Sequence, residues 1–138
     1  AKMILDPQML GNVGLYYCCY KLTLLGWNVM PTARNARGVD ILVYSRDASC
    51  CKTVQVKALS KRSAVPLGSS VEGICGDFWI IINDAIVRPQ AFVLTPDDVK
   101  DGAIRNEKHG KASFWLPARF YEQEQFKEAW QVFGTDRA

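Results

Sequence analysis

Phe78-Trp79-Ile80-Ile81-Ile82 is an unbroken apolar run opened by Asp77. A strand without polar alternation is one covered on both faces, so it reads as the central strand of a sheet with layers on either side. The 138 residues amount to one domain at ~100–200 residues per domain. A chain of this size buries roughly two-thirds of its unfolded surface and needs no staples.

The segments around that strand carry their own signals. Asp6-Pro7 opens a helix, an acid capping free N–H groups and a proline at the first helical position. Met9, Leu10, Val13, Tyr16 and Tyr17 follow at helical spacing through Leu25, and Gly26 ends the helix. Trp27 to Met30 reads as a short strand stopped by Pro31, before a basic loop. Val39 to Tyr44 and Lys52 to Leu59 read as two strands of a hairpin around a turn at Arg46 to Ser49. Residues 60–76, rich in Ser, Gly and basic residues, read as a long connection with one short helix near Val71. Ala91 to Leu94 is a further strand. Thr95-Pro96-Asp97-Asp98 is a capping box that starts a helix running to about Arg105. Residues 106–111 read as a charged loop, Ala112 to Leu116 as a strand, and Tyr121 to Phe133 as an amphipathic closing helix. The order is neither strict βα alternation nor all-β, and it predicts an α/β (α+β) domain with a mixed sheet flanked by helices.

Composition excludes several classes. No stretch of ~18 apolar residues offers a membrane span, and no secretory signal stands at the start. The five cysteines include the adjacent pairs Cys18-Cys19 and Cys50-Cys51, with no CxxC spacing. They read as small hydrophobes in a reducing compartment, the cytoplasm, rather than as a zinc site or disulfide framework. His109, the one histidine, lacks a triad context. The glycine-rich pieces fit neither a P-loop nor a dinucleotide fingerprint. The net charge of +3 hides an asymmetry: residues 1–62 carry nine bases and three acids, and the remainder eight bases and eleven acids. A basic half points weakly to a polyanion. Arg34, Arg37, Lys61 and Arg62 flank the hairpin and are the candidate phosphate contacts, or equally a solvated basic surface. The four tryptophans read as core.

The chemistry concentrates on Asp40, Gln55 and Lys57. The first lies on one arm of the hairpin and the others on the second arm. Pairings of Asp40 with 55 or 57 differ by two, so one register puts all three side chains on one face. A charge inside Val39-Asp40-Ile41-Leu42-Val43 is costly unless compensated. The set is then either an internal Asp40–Lys57 ion pair or a divalent-cation site with Lys57 beside the reacting phosphate.

Gly38-Val39-Asp40, fourteen intervening residues and Gln55-Val56-Lys57 resemble the signature of the PD-(D/E)XK nuclease superfamily, which includes restriction endonucleases and Holliday-junction resolvases. The likeness runs back through the helix ending at Gly26-Trp27 and forward to Phe78–Ile82. It covers a core of about 7–83, with residues 84–138 as an extension of a single 1–138 domain. It implies a restriction endonuclease-like αβββαβ core. It also implies Mg²⁺ or Mn²⁺ at Asp40, Gln55 and the Val56 backbone carbonyl, with Lys57 steadying the attacking water. DNA would be the substrate and a homodimer or a partner protein a possible assembly. Two departures stand out. Gln55 occupies the acidic position, and the glutamate many relatives carry on the first helix aligns with Leu15. Residues 1–39 hold one acid, Asp6; Glu72 and Asp77 are distant helpers at best, and Asp47 lies in the turn. The resemblance thus implies either a nuclease with a weakly bound cation or an inactive nuclease-fold module that binds nucleic acid or protein.

Overall fold

Asp6 accepts the Met9 N–H at 2.8 Å and caps α1 (Pro7–Leu24). Gly26 takes φ +96° beyond its end, a left-handed conformation that glycine enters without strain. These residues belong to a computed structural model that describes 4–33 and 38–134. Among the described residues eight strands follow in two sheets. β1 (Asn28–Pro31), β2 (Ile41–Tyr44), β3 (Cys51–Ala58), β5 (Phe78–Asn83) and β6 (Gln90–Leu94) form a five-stranded sheet in the order β1-β2-β3-β5-β6. The β3–β5 pair is parallel and the other pairs antiparallel. β4 (Val65–Gly68), β8 (Lys111–Leu116) and β7 (Ile104–Lys108) form a three-stranded antiparallel sheet.

All six residues of β5 are buried, and the strand is interior, as its apolar run requires. Phe78, Ile80 and Ile82 join Cys18 and Leu22 of α1 in one core. Trp79 and Ile81 join Val65, Leu116 and Tyr121 in a second core on the opposite face. α1 packs closely over β3: a Cβ built on Gly14 would sit 2.6 Å from the Ala58 Cβ, so only glycine lets the helix approach so near. The Asp40 hairpin lies under this helix.

α2 (Pro96–Gly102) has the expected capping box, Thr95 Oγ1 accepting from Asp98 N while Asp98 accepts from Thr95 N. It ends at Gly102, three residues short of the expectation, because the chain turns into β7. Residues expected as a charged loop are β7 and the turn of its hairpin with β8. His109 and Gly110 lie between the paired Lys108 and Lys111, both with positive φ, the backbone of a tight two-residue hairpin turn. The short helix expected near Val71 is a turn, with Ile74 N donating to Val71 O at 3.2 Å. Earlier in the same connection lies β4, whose Val65 is fully buried and which pairs with β8 across a register shift.

The closing helix is also absent. Only α3 (Ala118–Tyr121) and a 3-10 turn, Trp130–Phe133, are helical there. Between them the backbone turns to β6, the open edge of the large sheet. Phe126 O accepts from Val93 N, Glu128 N donates to Ala91 O, and Glu128 Oε2 accepts from Ala91 N. Satisfying an exposed strand edge outweighs the local helical pattern.

Candidate metal and nucleic-acid site

The main chain holds Asp40 from two sides. Its N–H donates to Val54 O on β3 at 2.8 Å, and its carbonyl accepts from Thr32 N at 2.9 Å. Thr32 also donates through its hydroxyl to Val39 O at 2.6 Å. With the backbone clamped, the carboxylate projects past the end of β2, where β3 loses its ladder partner. There Asp40 Oδ2 accepts from Val56 N at 2.7 Å and from Gln55 Nε2 at 2.9 Å. Within a strand the N–H and C=O of one residue point to the same edge. The Val56 carbonyl therefore opens on the Asp40 side as well.

This arrangement gives a physical account of Gln55. A glutamate here would set two carboxylates against each other. The amide instead donates to Asp40 through nitrogen and keeps its oxygen as an acceptor, so the pair is ordered with no ion present. Lys57 follows on the Gln55 face. The parallel register sets Gln55 beside Trp79 and Lys57 beside Ile81, and Lys57 Nζ lies 5.6 Å from the Trp79 ring centroid. An internal Asp40–Lys57 ion pair is not formed; among the described residues the salt bridges are Arg62–Glu122 and Arg105–Glu107.

Asp40 and Val56 line a cavity of about 410 Å³ with Gln8, Gly11, Asn12, Leu15, Tyr16 and Thr32 among its other walls. Leu15 thus faces the site, as the helix alignment expects. Gln8 and Asn12 were missed by sequence reasoning, although their spacing from Leu15 (i, i+4, i+7) places all three on one helical face.

The other candidates fall elsewhere. Arg34 and Arg37 lie outside the described residues. Lys61 is exposed. Arg62 pairs with Glu122 and lines a separate cavity of about 590 Å³ with Asn83, Asp84, Arg88 and Glu124. That cavity is the larger, but its bases and acids are interleaved, and Glu128 on its wall is already bonded to Ala91 N and Trp130 Nε1. Asp77 is no helper to Asp40, because its Oδ2 accepts from Thr53 N at 2.8 Å. Asp47 sits in the β2–β3 turn, accepting from both Ser45 and Ser49. Among the described residues no group of three or more His, Cys, Asp or Glu is placed to hold a metal. The oxygen donors are one carboxylate, one side-chain amide and one backbone carbonyl. Such a set fits Mg²⁺, which keeps several waters and binds through one or two carboxylates plus substrate phosphates.

No family model and no curated protein matches the sequence. Among solved structures, the fold is similar to the bacterial homing endonuclease I-Ssp6803I. The TM-score is 0.60, covering 94% of this chain and 93% of that one at 14% identity. It is also similar to Hjc, a Holliday junction resolvase of the archaeal hyperthermophile Archaeoglobus fulgidus. Here the TM-score is 0.53, covering 78% of this chain and 90% of that one at 15% identity. The chain therefore has a restriction endonuclease-like fold, a mixed α+β architecture.

Proposed function

We propose that this chain is a metal-dependent nuclease that hydrolyses DNA phosphodiester bonds. Mg²⁺ or Mn²⁺ would be held by Asp40, Gln55 and the Val56 carbonyl, with Lys57 as the basic catalytic residue. The observation that carries the reading is the Asp40 carboxylate, clamped at the end of β2 and bonded to Gln55 and Val56 at the wall of an open cavity. The two similar structures are an endonuclease and a junction resolvase, and both descriptions agree with it.

When bound, such a cation polarises a phosphate and acidifies a water. The chain's own residues do the rest. Gln55 and Val56 N fix the carboxylate before any ligand arrives, so no reorganisation is needed at that point. Lys57, its Nζ 5.6 Å from the Trp79 ring centroid, offers three donors to the attacking water and the developing negative charge. Lys61, Arg62, Arg34 and Arg37 are the proposed phosphate contacts. For Arg62, DNA would have to take the place of Glu122. One site per chain would cut both strands of a duplex only as a homodimer or with a partner protein. We place the chain in the cytoplasm, in keeping with five free cysteines. No described helix is long and apolar enough to cross a membrane.

Leu15 on the cavity wall favours a second reading, an inactive module that binds nucleic acid or a protein. Supercoiled plasmid incubated with and without Mn²⁺ separates the two. Metal-dependent nicking by the wild type, lost in both Asp40→Ala and Lys57→Ala, is the expected result. Asp40→Ala should keep or strengthen DNA retention, since a repelling carboxylate is gone. Retardation of DNA without nicking in wild type and variant alike would establish the binding module instead.

A further inference from the structure

The side of α1 that faces Asp40 carries no acid. Gln8, Gly11, Asn12 and Leu15 follow at i, i+3, i+4 and i+7 and all line the Asp40 cavity. Leu15 is half-buried and packed against the core. Gln8 and Asn12 are exposed, and nothing lies within 4 Å of a Cβ built on Gly11. The helix thus presents two amides and an open backbone to the cavity.

We infer that Asn12, with Gln8 one turn before it, is the contribution of α1 to the cation site: a neutral amide pair that holds the water shell of an ion at Asp40. This inference rests on the reading of Asp40 as a cation ligand. Mg²⁺ gives up its waters reluctantly, so an ion held by one carboxylate keeps most of them. Groups that accept from such waters set the orientation and affinity of the ion. A side-chain amide does this through oxygen, and its NH₂ remains free to donate to a phosphate oxygen.

The charge balance gives the arrangement a purpose. A divalent ion on Asp40 leaves one positive charge, which adds to that of Lys57 in drawing a phosphodiester. An acid on α1 would cancel that charge before substrate arrived. The neutral helix face weakens the hold on the free ion and preserves the site's attraction for the nucleic-acid backbone. Asn12 is on this view a positioning residue, acting through water rather than on the scissile bond.

Mn²⁺ affinity of the full chain without nucleic acid, followed by the paramagnetic resonance of free Mn²⁺, tests the inference directly. Asn12→Ala should loosen Mn²⁺ by about 10-fold, the lower end of what removing an outer-shell partner does, and Gln8→Ala by less. Asn12→Asp should tighten it by about 10-fold, since a carboxylate replaces the amide at the same distance. Asn12 is exposed, so all variants should fold like the wild type by circular dichroism. An unchanged affinity in Asn12→Asp would overturn the inference. So would equal tightening in Gln125→Asp, an exposed position in the C-terminal segment, because the effect would then be one of overall charge. Asp40→Ala reports on the underlying reading alone. Mn²⁺ binding that survives it removes Asp40 as the ligand, while the Asn12 series still shows whether α1 faces the ion.

Discussion

Asp40 and Asp77 do the same structural work on opposite edges of β3. Each offers a carboxylate oxygen to a backbone N–H of that strand, Asp40 to Val56 at 2.7 Å and Asp77 to Thr53 at 2.8 Å. Strand N–H groups alternate in direction, so residue 56 faces the β2 edge and residue 53 the β5 edge. The difference is in closure. Thr53 answers Asp77 by accepting its N–H at 3.0 Å, and a Cβ built on the adjoining Gly76 would lie 2.7 Å from Thr53 Oγ1. That clasp is complete and leaves no room. Asp40 accepts from the Gln55 amide and itself lines a cavity, of whose wall Gln55 is not part. Bonding to the main chain does not mark a functional acid, since both have it; a carboxylate facing open space does.

The largest expected contrast comes from exchanging charge at one acid and deleting the other. Asp40→Asn keeps an oxygen for Val56 N, so its stability should fall by only about 1 kcal/mol, yet metal-dependent nicking and Mn²⁺ affinity should vanish. Asp77→Ala removes the exposed carboxylate bonds from Thr53 and should cost about 0.5–1.5 kcal/mol in denaturant unfolding, with Mn²⁺ affinity unchanged. Equal loss of Mn²⁺ binding in both variants would break the distinction.

Gly14 sharpens it from the helix that walls the Asp40 cavity. In Gly14→Ala the new methyl meets the Ala58 Cβ at 2.6 Å and the Val56 Cγ1 at 3.4 Å, so α1 must lift from β3. Overpacking of this kind costs about 1–3 kcal/mol. The displacement moves Asn12 and Gln8 relative to Asp40 and leaves the Asp77 clasp untouched. Thermal unfolding should fall, and Mn²⁺ affinity of the folded protein should weaken with it. An unchanged melting temperature would show that the helix does not seat as described.

Local chemistry made part of this legible. Asp6, Gly26 and the Thr95–Asp98 box set helix ends through bonds between residues three or four apart, and the apolar run of β5 announces its own burial. Strand alternation put Asp40 on one face with residues 55 and 57, and the pairing of Ile41 with Val54 decides that it meets Gln55. What stayed hidden depended on distant partners. Residues 126–128 have a helical pattern until the β6 edge claims them. Arg62 reads as a free base until Glu122, sixty residues on, is folded against it. The place of Asn12 required knowing which face of α1 is down, and that is settled by the fit of Gly14 over Ala58.

A third carboxylate supplies the smallest effect. Asp47 Oδ1 accepts from Ser49 Oγ at 2.7 Å, Ser49 N at 3.0 Å and Ser45 Oγ at 2.9 Å. Its bonds from Ser49, side chain first and then backbone, with help from Ser45, hold its pKa down at about 2. The folded value lies below the ~3.9 of an unfolded aspartate. Its contribution to stability is therefore complete above about pH 4 and is lost as pH falls toward 2. The group is fully exposed, so solvent keeps that contribution small. Carboxyl-detected NMR titration should find Asp47 among the last aspartates to protonate, and Ser49→Ala should move it back toward the ordinary value. An ordinary pKa in the wild type would mean the β2–β3 turn is not held by its own acid. The hairpin would then owe its register to the Asp40 and Asp77 ends of β3 alone.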